Sequence, residues 1–210
     1  MTLRIAALLA LLLGTAALLV FLRLLGEGPF VPAASRHLRE MKNRTDSPRV
    51  IEATSFGGLV ALPHDATLEA YSVIERRGVS LEGYVQDLIR SPDDDYHLEI
   101  VAGPLRAGDY DTSYVSAEIT PRVRRDSRNW TFERLIERFR PILGGETQWP
   151  GATRRIRVTG WLLFDWQYDW PVGAGAGKGL GARLTGWEIH PVTRIELWDD
   201  AQSRFVDYPR

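Results

Sequence analysis

Three strand-like segments, one amphipathic helix and two further strand-like segments follow one another over residues 78–197, and this order predicts a mainly β fold with one α-helix, a five-stranded OB-like β-barrel. A second observation places an N-terminal transmembrane helix ahead of it, because residues 5–25 are an almost unbroken run of Ala, Leu and Val. A third is the glycine-saturated stretch 173–181 between the last two strands, which reads as a mobile loop where barrels of this kind close over ligands.

The first strand is marked by Val79, Leu81, Gly83, Val85 and Leu88, with Gly83 where a curved barrel strand bends. Ser91-Pro92-Asp93-Asp94 forms a turn. In the second strand, residues 96–102, Leu98 and Ile100 share one face and His97 and Glu99 the other. The third, residues 114–120, turns Val115, Ala117 and Ile119 inward and Ser116 and Glu118 outward, and Pro121 ends it. Phe132, Leu135, Ile136 and Phe139 then recur at i, i+3, i+4, i+7, which predicts a helix over 130–140 with Asn129 or Thr131 as its cap and an apolar stripe that plugs the barrel end. Residues 156–165 and 185–197 supply strands four and five.

Ahead of the barrel, the apolar run is about 31 Å long as a helix, enough to cross a bilayer core. It outlasts the 7–15 apolar residues usual in a cleaved signal, which favours an uncleaved anchor. Orientation cues conflict. Arg36, Arg39, Lys42 and Arg44 after the run outnumber Arg4 before it, yet the immediate flank 26–30 carries no positive charge and Arg4 abuts the run as in a secretory signal. The reading adopted is a single-pass membrane protein with its domain on the extracytoplasmic side. The segments are then 1–28, an N-terminal transmembrane anchor or signal; 29–52, a juxtamembrane linker with one helical turn at most; 53–78, a lead-in segment; 79–200, the OB-like barrel; and 201–210, a C-terminal tail. Within the lead-in, residues 59–62 resemble a short strand, and Asp65 is placed to cap a helix carrying Leu68, Tyr71 and Ile74.

Among 210 residues the formal net charge is −1, which argues against a protein that coats nucleic acid, because counterion release needs a strong positive field. There is no cysteine, hence no disulfide, thiolate metal site or cysteine nucleophile. The loop 173–181 is no Walker A motif, since Gly179 stands where Ser or Thr must follow Lys178. Asp93-Asp94-Asp95 is no EF-hand, since Leu98 occupies the obligatory glycine position and Pro104 the closing glutamate.

Strand parity nominates candidate sites. His97, Glu99, Asp165 and His190 offer imidazole and carboxylate groups of the kind that bind zinc or manganese, or act as acid and base, if the fold brings them together. The competing reading is that alternating polar residues merely form the wet face of half-buried strands. Trp161, Asp165, Trp170, Lys178 and Trp187, near the long loop, are the ligand-binding candidates, in a region where arginines and aromatic residues alternate as they do in single-strand or sugar binders. No cofactor is required by the sequence.

Thr159-Gly-Trp-Leu-Leu-Phe-Asp165 and Trp187-Glu-Ile-His-Pro-Val-Thr193, with Asp95-Tyr-His97 upstream, resemble a signature of uncharacterised exported or membrane-anchored bacterial proteins with an OB-like domain. That resemblance covers the barrel portion and implies no established activity. It departs from the pattern after Asp165, where Trp166-Gln-Tyr-Asp-Trp170 stands in place of a histidine. The expected function is thus a binding or assembly module at the cell envelope, with an envelope protein or glycan as partner. A metal-dependent hydrolase using the His and carboxylate cluster, and single-stranded nucleic-acid binding, are the alternatives.

Overall fold

The computed structural model describes residues 12–20, 32–106, 109–143, 153–169 and 183–210. The chain divides into two compact units, 1–40 and 41–210. In the first, residues 12–20 are helical. The rest of the apolar run 5–25 lies outside the described residues, and among these no helix is long and apolar enough to cross a membrane. Helix α1 spans Ala33–Lys42. It replaces the linker with a single helical turn that was expected, because Ala, Leu, Arg, Glu, Met and Lys are all good helix formers and Pro32 precedes them.

In the second unit, β1 (Ile51–Thr54) leads to two short helices, α2 (Phe56–Val60) and α3 (Leu68–Ile74). Of the strand expected over 59–62, Leu59 and Val60 are therefore the end of a helix, and Ala61 and Leu62 turn away from it. Ser55 accepts a hydrogen bond from the Gly58 amide at 3.0 Å, an N-cap that starts a helix where hydrophobicity alone suggested a strand. Likewise Thr67, not Asp65, caps α3, accepting from the Ala70 amide.

Five strands close the barrel: β2 (Gly78–Arg90), β3 (Tyr96–Val101), β4 (Val115–Ile119), β5 (Arg154–Phe164) and β6 (Trp187–Asp199). Their spatial order is β2-β3-β4-β6-β5, and β5 returns to β2. This is the order of an OB-like barrel, including the parallel contact of β4 with β6 through Ala117 and Ile189. Strand β2 is long because it is shared: Gly78 to Val85 pair with β5, and Tyr84 to Arg90 pair with β3. At Gly83 an added Cβ would lie 2.5 Å from Ile100 Cγ2, so the strand crosses its neighbour where only glycine fits. Two further strands were not foreseen. β1 adds in parallel to β2, and β7 (Arg204–Asp207) pairs with β6, so the middle of the tail 201–210 joins the sheet.

Between β4 and β5 come α4 (Pro121–Arg124) and α5 (Phe132–Leu143). Thr131 accepts from the Arg134 amide at the start of α5, and Leu135 and Phe139 are fully buried in the same core as Val85, Leu98 and Ile189, which places the plug as expected. Where the sequence predicts one helix within the barrel, one ahead of it in the apolar run and one carrying Leu68, Tyr71 and Ile74, the described residues hold six α-helical segments; the additional ones are α1, α2 and α4, of which α2 and α4 are too short to show a 3.6-residue period.

Candidate functional site: a buried ionic network on the barrel's outer face

Leu98, Ile100, Val115, Ala117, Ile119 and Ile189 enter the core, so period-two alternation turns His97, Glu99, Ser116, Glu118, Glu188 and His190 to the opposite side of the same three strands. On a half-exposed sheet that side meets water. Here it does not: Ser116, Glu118, Glu188 and His190 are all buried. OB-folds commonly hold ligands on this part of the barrel.

Register explains the convergence. His97 lies opposite Glu118 across β3 and β4, while the Ala117–Ile189 contact sets Glu118 beside Glu188 and His190. Asp95 arrives from the turn before β3, whose shape is held by Ser91 and by Asp94, a residue at φ 70° paired with Arg90 and Arg124. Arg183 is brought in by the connection between β5 and β6: it bridges Tyr114, and the Leu184 amide donates to the Tyr114 carbonyl at 2.7 Å. Both ends of that connection are fastened together, the Asp165 amide donating to the Gly186 carbonyl and the Gly186 amide to Asp169 Oδ1, each at 2.9 Å. Lys42 completes the set from the end of α1, 2.7 Å from Asp165 Oδ2.

The contacts form one chain of charge. Arg183 donates to Glu188 Oε2 at 2.7 Å and to Glu118 Oε1 at 3.3 Å. Glu118 Oε1 also accepts from Ser116 and contacts His97 Nδ1 at 3.1 Å. His190 Nδ1 lies 2.9 Å from Glu188 Oε1, whereas its Nε2 makes no hydrogen bond, with Asp95 Oδ2 3.6 Å away. Arg183 stacks over the Tyr168 ring at 4.0 Å.

Burial pulls every one of these groups toward its neutral form, and the neighbours decide the outcome. Burial alone would raise Glu118, but His190, His97 and Arg183 hold it well below the usual carboxylate range. Glu188, raised by burial and by Glu118, is brought below its ordinary value by Arg183 and His190. Lys42, Arg183 and His190 would each be lowered by burial, yet the surrounding carboxylates raise all three. Asp95 differs. Burial pushes it up to about 6, and His190 only partly opposes this. Asp165 is likewise raised by burial and by Glu188, against Lys42.

Of the metal candidates, the fold gathers His97, Asp165 and His190 into this network. Glu99 instead accepts from Tyr110 at 2.7 Å and from Gln86 at 3.1 Å. Of the ligand-binding candidates, Asp165 belongs to the network. Trp187 is enclosed in the core against Phe164 and Tyr71, its indole donating to the Pro63 carbonyl. Trp161 donates to the Asp46 carbonyl and carries Arg44 over its ring. Trp170 and Lys178, with the loop 173–181, lie outside the described residues. The residues that single-sequence reading did not nominate as ligands are Lys42, Asp95, Glu118, Arg183 and Glu188. Alternation in the third strand turned Glu118 outward, but nothing local marks Arg183 or Lys42.

A separate recess of about 410 Å³ is lined by Arg134, Glu137, Arg138, Arg154 and Tyr208 and shares no residue with the network.

No protein-family model matches the chain, and no curated protein matches it. Solved structures with partial likeness include asparaginyl-tRNA synthetase from Entamoeba histolytica, 12% identical over 70% of this chain and 24% of that one, with a TM-score of 0.33. The asparaginyl-tRNA synthetase from Pyrococcus horikoshii complexed with asparaginyl-adenylate is 16% identical over 63% and 21%, with a TM-score of 0.31. OBody AM3L09 bound to hen egg-white lysozyme is 14% identical over 59% and 82%, with a TM-score of 0.28. The chain spans about a quarter of the synthetases' length.

Proposed function

We propose that this protein is a binding or assembly module of the cell envelope, held to the membrane by residues 5–25 with its barrel on the extracytoplasmic side. The observation that carries the binding reading is the buried network on the outer face of β3, β4 and β6. Desolvating several charges costs several kcal/mol per ion, so a barrel that needed only stability would be served as well by apolar side chains there. Charge concentrated on the face that OB-folds use for ligands is consistent with recognition. Trp166, half exposed in the connection beside Asp165, offers an aromatic contact at the edge of the site. The resemblance of Asp95-Tyr-His97, Gly160-Trp-Leu-Leu-Phe-Asp165 and Trp187-Glu-Ile-His190 to exported bacterial proteins agrees with this reading, since those motifs contain five members of the network.

Four measurements test it. The full chain should stay with membranes through alkaline carbonate washing, and protease added outside intact cells with a permeable outer layer should cut the barrel. Recovery in the soluble fraction, or protection of the barrel until the inner membrane is broken, removes the envelope assignment. Retention on purified cell-wall sacculi, reduced several-fold by Trp166→Ala, supports a glycan partner. Steeply salt-dependent affinity for single-stranded oligonucleotides instead overturns the reading in favour of nucleic acid.

A further inference from the structure

We infer that Asp95, Glu118 and His190 form a binding site for one divalent cation of the zinc or manganese class. The three residues come from adjacent strands or a strand end and are all buried, and each presents one ligand atom such that all lie within 4.8 Å of one another. A cation between them would sit no more than about 2.8 Å from each, so small rotamer adjustments bring them to the ~2.0–2.2 Å of nitrogen and oxygen ligands on zinc.

The surrounding contacts orient each group for this task. His190 is fully buried, and Glu188 Oε1, 2.9 Å from Nδ1, accepts the Nδ1–H hydrogen bond. In the neutral imidazole, the form a metal binds, this leaves the lone pair on Nε2, the atom without a hydrogen bond, 3.6 Å from Asp95 Oδ2. A carboxylate behind a histidine, with the far nitrogen open, is the arrangement that supports a metal-bound imidazole. Glu118 is prepared in the same way. Its Oε1 is held by Ser116, His97 and Arg183, while its Oε2 lies 3.4 Å from His190 Nδ1, on the same side of the ring as Glu188, and a small rotation of the carboxylate is needed to turn it to Nε2 and Asp95.

Charge agrees with geometry. Within the network, the carboxylates Asp95, Glu118, Asp165 and Glu188 face two fixed cations, Lys42 and Arg183. With both imidazoles neutral the excess is two negative charges, which one divalent ion cancels. One nitrogen and two carboxylate oxygens suit zinc or manganese, whereas calcium requires six to eight oxygens. Three protein ligands leave a position open to water or to an oxygen of a bound partner.

The test uses the untagged full chain, stripped with EDTA and desalted. Titration with zinc or manganese chloride followed by calorimetry should give one equivalent bound with micromolar or tighter affinity. Saturating zinc should raise the thermal midpoint by several degrees where magnesium and calcium do not. Asp95→Asn and Glu118→Gln should each weaken binding about 100-fold while near-ultraviolet circular dichroism still reports native tryptophan packing. If a variant unfolds, pulsed electron paramagnetic resonance of manganese on the wild-type chain decides, by coupling to a directly bound imidazole nitrogen. Failure of the folded wild type to bind either ion, undiminished binding in a folded Asp95→Asn chain, or absence of nitrogen coupling overturns the inference.

Discussion

Lys42 Nζ stands 2.7 Å from Asp165 Oδ2, joining the end of α1 to the residue that closes β5. Asp165 is fully buried, so without its partner it would be an uncompensated charge in a poorly hydrated place. Lys42→Met is therefore expected to destabilise the chain by about 3 kcal/mol, and the double change Lys42→Met with Asp165→Asn to recover most of that loss. Tryptophan fluorescence during urea unfolding of the two variants measures the difference.

Asp95 gives a pH dependence of opposite sign to that of Glu118. Its carboxyl is raised to about 6, so in metal-free protein the folded state binds more protons than the unfolded state between about pH 4 and pH 6. Stability from this group is present below pH 4 and lost as pH rises through 6, on the order of 2 kcal/mol. Glu118, held low, contributes stability above the ordinary carboxylate range and loses it as pH falls through its depressed value. Asp95→Asn in EDTA should accordingly be more stable than the wild type at pH 7 and lose that advantage at pH 4. In saturating zinc the substitution should destabilise instead. Urea titrations at both pH values, with and without the metal, compare these signs.

Gly160 lies where β5 crosses β6, and a Cβ there would stand 2.2 Å from the Pro191 carbonyl oxygen. Gly160→Ala must push two strands apart, at a cost of about 1–3 kcal/mol. Because His190 is adjacent to the displaced backbone, zinc affinity should fall together with the thermal midpoint.

Phe139 anchors α5 in the barrel mouth and is completely buried. Truncation by Phe139→Ala is expected to cost about 3–5 kcal/mol, whereas Phe139→Leu, which keeps most of the volume, should cost far less. A plug that contributed nothing would show equal unfolding midpoints for the two variants.

How far the sequence could be read follows from the range of each interaction. Alternation in Leu98, Ile100, Val115, Ala117 and Ile119, and the stripe of Leu135 and Phe139, are local signals, and they led to the barrel and its plug. The same alternation showed His97, Glu118 and His190 on the other face but could not show that this face is covered. That depends on Lys42, more than a hundred residues before Asp165, and on Arg183, delivered by a bridge to Tyr114. The short helix α2 was hard to see because a single cap, Ser55, defines it in place of an extended apolar period, whereas α3 was visible in Leu68, Tyr71 and Ile74 and only its cap, Thr67, was not. Edge strands β1 and β7 are only four residues each and mostly exposed, so they carry little hydrophobic pattern.

Arg44 bears on how such a domain takes a pull. Its guanidinium donates to the carbonyls of Glu75 at 2.7 Å, Leu162 at 2.8 Å and His190 at 3.0 Å, while Trp161 lies under it. Arg44→Lys cannot span three acceptors and should cost about 2 kcal/mol in urea unfolding. A mechanical load entering through the polypeptide ahead of this residue would be divided among three backbone stretches distant in sequence. Strands β5 and β6 would then be sheared as a pair, a stiffer response than peeling one of them from its edge.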